Sequence, residues 1–179
     1  RFQAKLFGGA CVIDAFREAL KKKDFTELQA PVIIPETAEG GSEVFEVKYF
    51  DRKAYLAQSP QFYKQMAMAS GFEKVFEVGP VFRANPSFTS RHDTEFTSYD
   101  AEISFVDSHQ DVMAEEQKAL VSVLEKIKNI FGGEIEETYK REIIIPKIPF
   151  PQVTMKEAKE ILAKLNIPSE KNGDLSPEE

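Results

Sequence analysis

The sequence predicts an α+β fold in which an antiparallel sheet is flanked by helices. The middle of the chain is a succession of short strand-like runs punctuated by turns, while apolar residues on either side of it recur at helical spacing. A third observation is the period-two alternation along the last long run, strict from Ser98 to Phe105, which suits a strand with two unlike faces.

Val12, Phe16 and Leu20 recur every four residues and predict a first helix that dissolves into "KKKD". After it, "APVIIP" reads as a short buried strand, and "TAEGGSE", with two adjacent glycines, as a mobile loop. "VFEVKYF" and "KAYLAQ" flank Asp51 and Arg52 as a strand pair with a tight turn. "SPQFYKQMAMASG" is a short helix with proline near its start and Gly71 at its end. Two further strands follow, "VFEVGPVFRA" and "DTEFTSYDAEISFV", joined by a polar loop. From Val112 to Phe131 the residues Val112, Leu120, Val123, Leu124, Ile127 and Phe131 trace one helix face, which Gly132 and Gly133 close. Thr154 and Glu157 cap a last helix carrying Ile161, Leu162 and Leu165.

The ends read as cuts. The chain opens with "RFQAKLF", already helical in character and without methionine, and "SPEE" places Ser176, Pro177 and Glu179 as the signature of a helix about to begin. The expectation is a piece of a longer protein.

A chain of 179 residues, 42% of them hydrophobic, can bury one sizeable core. Its net charge of -7 argues against a general nucleic-acid coat, which neutralises phosphates with clustered Lys and Arg. A single cysteine, Cys11, excludes an intramolecular disulfide, and no apolar run reaches the length of a membrane span or signal peptide. A reduced, cytoplasmic setting with no membrane partner is therefore expected.

Parity in the last strand places Tyr99, Ala101, Ile103 and Phe105 on one face and Phe96, Ser98, Asp100, Glu102 and Ser104 on the other. Two carboxylates on one face of a central strand are costly unless that face lines a wet cleft or meets cations. Arg83, on the preceding strand, reaches the same cleft if the two strands pair; the alternative is a solvent-exposed face with an incidental ion pair.

"VGPVFRA" with "RHDTEF" resembles motif 2 of the class II aminoacyl-tRNA synthetases, in which two antiparallel strands and their loop hold ATP. Upstream, "APVIIP" resembles motif 1, the proline-centred dimer motif, "AEGGSEVFEV" the flipping loop and "YLAQSPQFYKQ" the amino-acid-binding segment. Together, in the family's order, they resemble the archaeal and eukaryotic type of aspartyl-tRNA synthetase, over nearly the whole chain to about Phe105.

The resemblance implies roles. Arg83 would bridge the α-phosphate of ATP and the substrate carboxylate, His92 would meet the γ-phosphate with Arg91 as helper, and Phe96 would stack on adenine. Asn85 stands where the family usually has a glutamate that accepts from the adenine amino group; its amide oxygen is shorter and uncharged. Gln61 and Lys64, three apart on one helix face, would meet the amino acid, Lys64 facing its side-chain carboxylate, while Glu39 and Asp100 would hold its ammonium. Pro31 would lie at the interface of a homodimer.

ATP as substrate, Mg²⁺, aspartate and, in the full-length protein, tRNA are the partners so implied. The family's motif 3 arginine, the acidic Mg²⁺ ligands before it and the anticodon-binding domain are not found by residue 179, so residues 1–179 read as an incomplete catalytic domain, inactive alone and without metal ligands of its own. An asparaginyl-tRNA synthetase or related amide-forming enzyme, and a non-catalytic paralogue acting in dimerisation or ligand sensing, remain as alternatives.

Overall fold

A computed structural model describes residues 2–36, 44–85, 93–167 and 173–175. The chain forms two compact units, Arg1–Ile145 and Pro146–Glu179. In the first, the elements are α1 (Phe2–Lys21), β1 (Thr26–Glu27), β2 (Ile33–Ile34), β3 (Glu46–Tyr49), β4 (Arg52–Leu56), α2 (Gln61–Ala69), β5 (Lys74–Phe82), β6 (Glu95–Ile103) and α3 (His109–Tyr139).

The strands make two three-stranded sheets, β1-β5-β6 and β2-β4-β3. All pairings are antiparallel except β1 with β5, so the α+β expectation holds with one parallel pair added. Val75 and Phe76 on β5 are fully buried. Phe76 packs with Ala19, Leu20, Phe25 and Ala119, and Val78 and Ile103 close the cluster. Alanines on both α1 and α3 leave little side-chain bulk where these helices meet the sheet, and apolar burial there is the main stabilising term. Phe16 of α1 stacks on Tyr99 of β6, ring centroids 4.1 Å apart. Ion pairs border this layer: Lys126 with Glu18 at 2.6 Å, Lys23 with Glu115, and Arg17 and Lys21 with Glu27 at 2.6 and 2.7 Å.

Four expectations shift. "APVIIP" gives a two-residue strand at a sheet edge, Ile33–Ile34, in which Ile34 is buried but Ile33 is 48% exposed. The β3–β4 turn lies one residue earlier than expected, at Phe50 and Asp51, because Tyr49 pairs with Arg52; Phe50 takes up the left-handed conformation at φ 55°. The helix expected to close at Gly132 and Gly133 runs through both and stops at Lys140, φ 54°. Glycine inside a helix costs about 1 kcal/mol each relative to alanine, a penalty that a long helix with favourable neighbours on both sides absorbs. Phe105 does not continue the apolar face of β6. The strand ends at Ile103, opposite Lys74 where β5 begins, and Phe105, φ 55°, is 90% exposed.

Other signals hold. Gly71 ends α2 at φ 102°, a conformation glycine adopts without strain. In the second unit α4 (Met155–Lys164) starts with the expected capping box: the Glu157 N–H donates to Thr154 Oγ1 at 3.2 Å and the Thr154 N–H to Glu157 Oε2 at 2.7 Å. The segments 37–43, 86–92 and 176–179, with the flipping-loop and "SPEE" expectations, lie outside the described residues.

Candidate active site

Antiparallel pairing of β5 with β6 sets Val75 opposite Glu102, Glu77 opposite Asp100, Gly79 opposite Ser98 and Val81 opposite Phe96. Directly opposed residues share a face, so this face carries Glu77, Ser98, Asp100 and Glu102 together. The other face, with Tyr99 and Ile103, meets α1 and α3. The parity read from the sequence is therefore the real division of the sheet up to Ile103.

Over the acidic face lies α2, whose buried residues are Lys64 and Ala67. Spacing of three brings Gln61, Lys64 and Ala67 to one side of the helix. The Lys64 ammonium lies 2.5 Å from Asp100 Oδ1 and 3.1 Å from Glu102 Oε2, with its side chain only 3% exposed. Gln61 donates to the same Glu102 oxygen at 3.5 Å, and Ser98 Oγ donates to Asp100 Oδ2 at 3.2 Å. A buried ammonium is tolerated when carboxylates and hydrogen bonds replace its water. Here two carboxylates meet one lysine, which leaves the cluster one negative charge in excess.

Arg83 lies just past β5, where its N–H donates to Thr94 O at 2.9 Å and extends the ladder by one bond. Its guanidinium lies over the Phe96 ring, 5.5 Å from the centroid, a cation–π arrangement on the same face. A cation beside an aromatic ring can receive an anion and a flat heterocycle together. Asn85 and Pro31 are exposed. Glu39, Arg91 and His92 lie outside the described residues.

The structure thus brings together Gln61, Lys64 and Asp100, and pairs Arg83 with Phe96. Sequence reasoning left out two residues as site members. Glu102 is the second partner of Lys64, and strand parity had already placed it on the acidic face. Glu77, the one charge within the run "VFEVGPVF", lies half-buried opposite Asp100 and accepts a hydrogen bond from the Ala30 N–H at 3.0 Å. Burial pushes its carboxyl above the ordinary glutamate value; the Ala30 hydrogen bond and Lys64 oppose that shift, and Asp100 adds to it. A lone charge in an apolar strand was the signal for it.

A family model for the class II tRNA synthetases (D, K and N) matches residues 2–176. The chain is 46% identical over 168 residues to the aspartate-tRNA(Asp) ligase of Thermoplasma volcanium, covering 94% of this chain and 39% of that protein. It is 44% identical over 167 residues to the aspartate-tRNA(Asp/Asn) ligase of Methanopyrus kandleri, covering 93% of this chain and 38% of that one. Among solved structures, the asparaginyl-tRNA synthetase of Pyrococcus horikoshii complexed with asparaginyl-adenylate is similar at TM-score 0.87 and 33% identity, covering 97% of this chain and 40% of that one. The chain spans well under half the length of these relatives. A match over nearly every residue, with close relatives and a shared fold, means that the chain belongs to the class II tRNA synthetases of the aspartate, lysine and asparagine group.

Proposed function

We propose that the chain carries the ATP- and aspartate-binding part of an aspartate-tRNA ligase. Both compact units belong to one catalytic domain, of which motif 3, like the anticodon-binding domain, lies in another part of the protein. The observation that supports this most is Lys64, buried between Asp100 and Glu102 on the face that also bears Arg83 and Phe96.

The excess negative charge suits the ammonium of an amino-acid ligand, while Lys64 is, among the described residues, the one buried cation able to meet a side-chain carboxylate. The ligand's ammonium takes Asp100, helped by Glu39, and its side-chain carboxylate takes Lys64, with Gln61 alongside. Adenine stacks on Phe96 with Asn85 accepting from its amino group; Arg83, which now covers the ring, turns to the α-phosphate and the attacking carboxylate. His92 and Arg91 meet the γ-phosphate. The step is an in-line displacement: the substrate carboxylate oxygen bonds to the α-phosphorus and pyrophosphate leaves with the bonding pair. A guanidinium fixed beside the non-bridging oxygens stabilises the charge that grows there.

Magnesium finds no cluster of three or more His, Cys, Asp or Glu side chains among the described residues, and no step here runs through it. Transfer to tRNA, homodimerisation through Pro31 and a cytoplasmic setting complete the reading.

Asparagine activation is the second reading, favoured by the likeness to the Pyrococcus horikoshii enzyme. Lys64 argues against it. An amide in place of the carboxylate weakens a charge-assisted hydrogen bond of about 1.5–3 kcal/mol. The full-length protein should catalyse amino-acid-dependent exchange of pyrophosphate into ATP. Its absence with aspartate, asparagine and lysine alike would support a non-catalytic paralogue instead.

A further inference from the structure

Between the two sheets the backbone crosses at Ala30 and Pro31. β1 pairs with β5 as far as Glu27, and the Leu28 N–H still donates to Phe76 O at 2.7 Å. Then the chain leaves the sheet, and no strand of it remains to receive the Ala30 N–H. The Glu77 carboxyl takes that place at 3.0 Å. Pro31 has no N–H to offer. On its far side Val32 is tied by the Ala57 N–H at 2.8 Å, and Ala57 O accepts from the Phe82 N–H at 2.9 Å. The crossing is thus anchored on both sides of Pro31, once by backbone and once by a side chain.

That side chain also reaches the amino-acid cluster. Glu77 is the cross-strand neighbour of Asp100, and together with Ser59 and Ser98 they line a cavity of about 10 Å³, room for one water. Its Oε2 is fully buried and has no hydrogen-bond partner. Gly79 makes space for the carboxyl, since a Cβ there would come within 3.2 Å of Oε1.

We infer that Glu77 is a positioning residue for the amino-acid site: its carboxyl holds the Pro31 crossing against β5 and so sets the wall of the cavity that Ala30 and Pro31 share with Asp100. The inference deepens the proposed function and rests on that reading of Asp100. The charged groups facing Glu77 are Asp100 on β6 and Lys64 on α2. A glutamine of the same length keeps an oxygen that can accept from the Ala30 N–H, so it should replace Glu77 well.

The test uses the full-length protein with E77A and E77Q, measuring pyrophosphate exchange against aspartate and ATP separately, and hydrogen exchange of the Ala30 amide without ligand. In E77A the aspartate KM rises about tenfold, the ATP KM changes less than twofold, and Ala30 exchanges at least tenfold faster. E77Q stays within threefold of the parent on every measure. Should E77A fail to fold, E77D, whose carboxyl falls short of Ala30, is expected to show the same split. Equal rises in both KM values, an unchanged aspartate KM, or E77Q behaving as E77A would overturn the inference. If the parent shows no aspartate-dependent exchange, the proposed function has failed, and Ala30 exchange decides the anchoring alone: unchanged protection in E77A refutes it.

Discussion

Lys64 shows how far a single residue can be read from sequence. Its spacing from Gln61 was legible, but its burial was not, because nothing local says that a lysine on a nine-residue helix faces inward. What decides it is tertiary: β5–β6 pairing collects Asp100 and Glu102 beneath it. Replacing Lys64 by methionine leaves these two carboxylates facing each other without a cation. Breaking a buried pair costs about 3–5 kcal/mol, less here, about 2–4, because the carboxylates are a quarter exposed and can recruit water. Urea denaturation of K64M should show that loss, and an unchanged midpoint would contradict the burial. Arg83→Ala should lower kcat far more than it raises the aspartate KM, since its interaction strengthens as charge grows on the α-phosphate; steady-state exchange kinetics separate the two. Glu77 was overlooked because the hydrogen bond that gives it meaning joins residues 47 positions apart. Its pH signature is distinctive. A carboxyl with its folded value raised binds more protons folded than unfolded, so stability falls as pH rises above about 4.5. Differential scanning at stepped pH should show that slope shallower in E77Q than in the parent.

Among the elements, helices with caps and strands with alternation were legible, and their ends were less so. Gly132 and Gly133 look like a stop, yet α3 continues because a helix ends where the chain must leave, not where propensity dips. A Cβ at Gly133 would meet nothing within 4 Å. Gly133→Ala should therefore stabilise the chain by about 1 kcal/mol in chemical denaturation, and a loss of stability would mean that the helix bends or docks there. The ion pairs around α1 and α3 titrate with the opposite sign to Glu77. Burial raises Glu115, but hydrogen bonds from Lys23 and Lys118 outweigh it and hold the carboxyl below its ordinary value. Glu27 behaves likewise, with Lys21 and Arg17 overcoming burial. Both contribute stability above about pH 4.5 that is lost as pH falls through their lowered folded values. Acid titration of K23M should show a shallower loss than the parent.

At the scale of the molecule, the fold class followed from the order of hairpins and helices, while the parallel β1–β5 pair did not, since a two-residue strand carries no pattern. The motifs suggested which residues belong together, and the strand register explains how Asp100, Glu102 and Lys64 meet. Expressed alone, residues 1–179 should dimerise through α1 and the segment around Pro31, as light scattering can measure, yet fall several orders of magnitude short of the full-length protein in exchange. Two or three missing charge-assisted contacts at about 1.5–3 kcal/mol each account for that gap. A monomer would refute the interface, and near-parental exchange would show that these residues suffice. The most direct measurement of the central claim is the ratio of kcat/KM for aspartate and asparagine in pyrophosphate exchange by the full-length protein. If Lys64 takes the ligand's side-chain carboxylate as Asp100 takes its ammonium, aspartate wins by about a hundredfold, equivalent to about 2.7 kcal/mol; asparagine equal to or better than aspartate would contradict it.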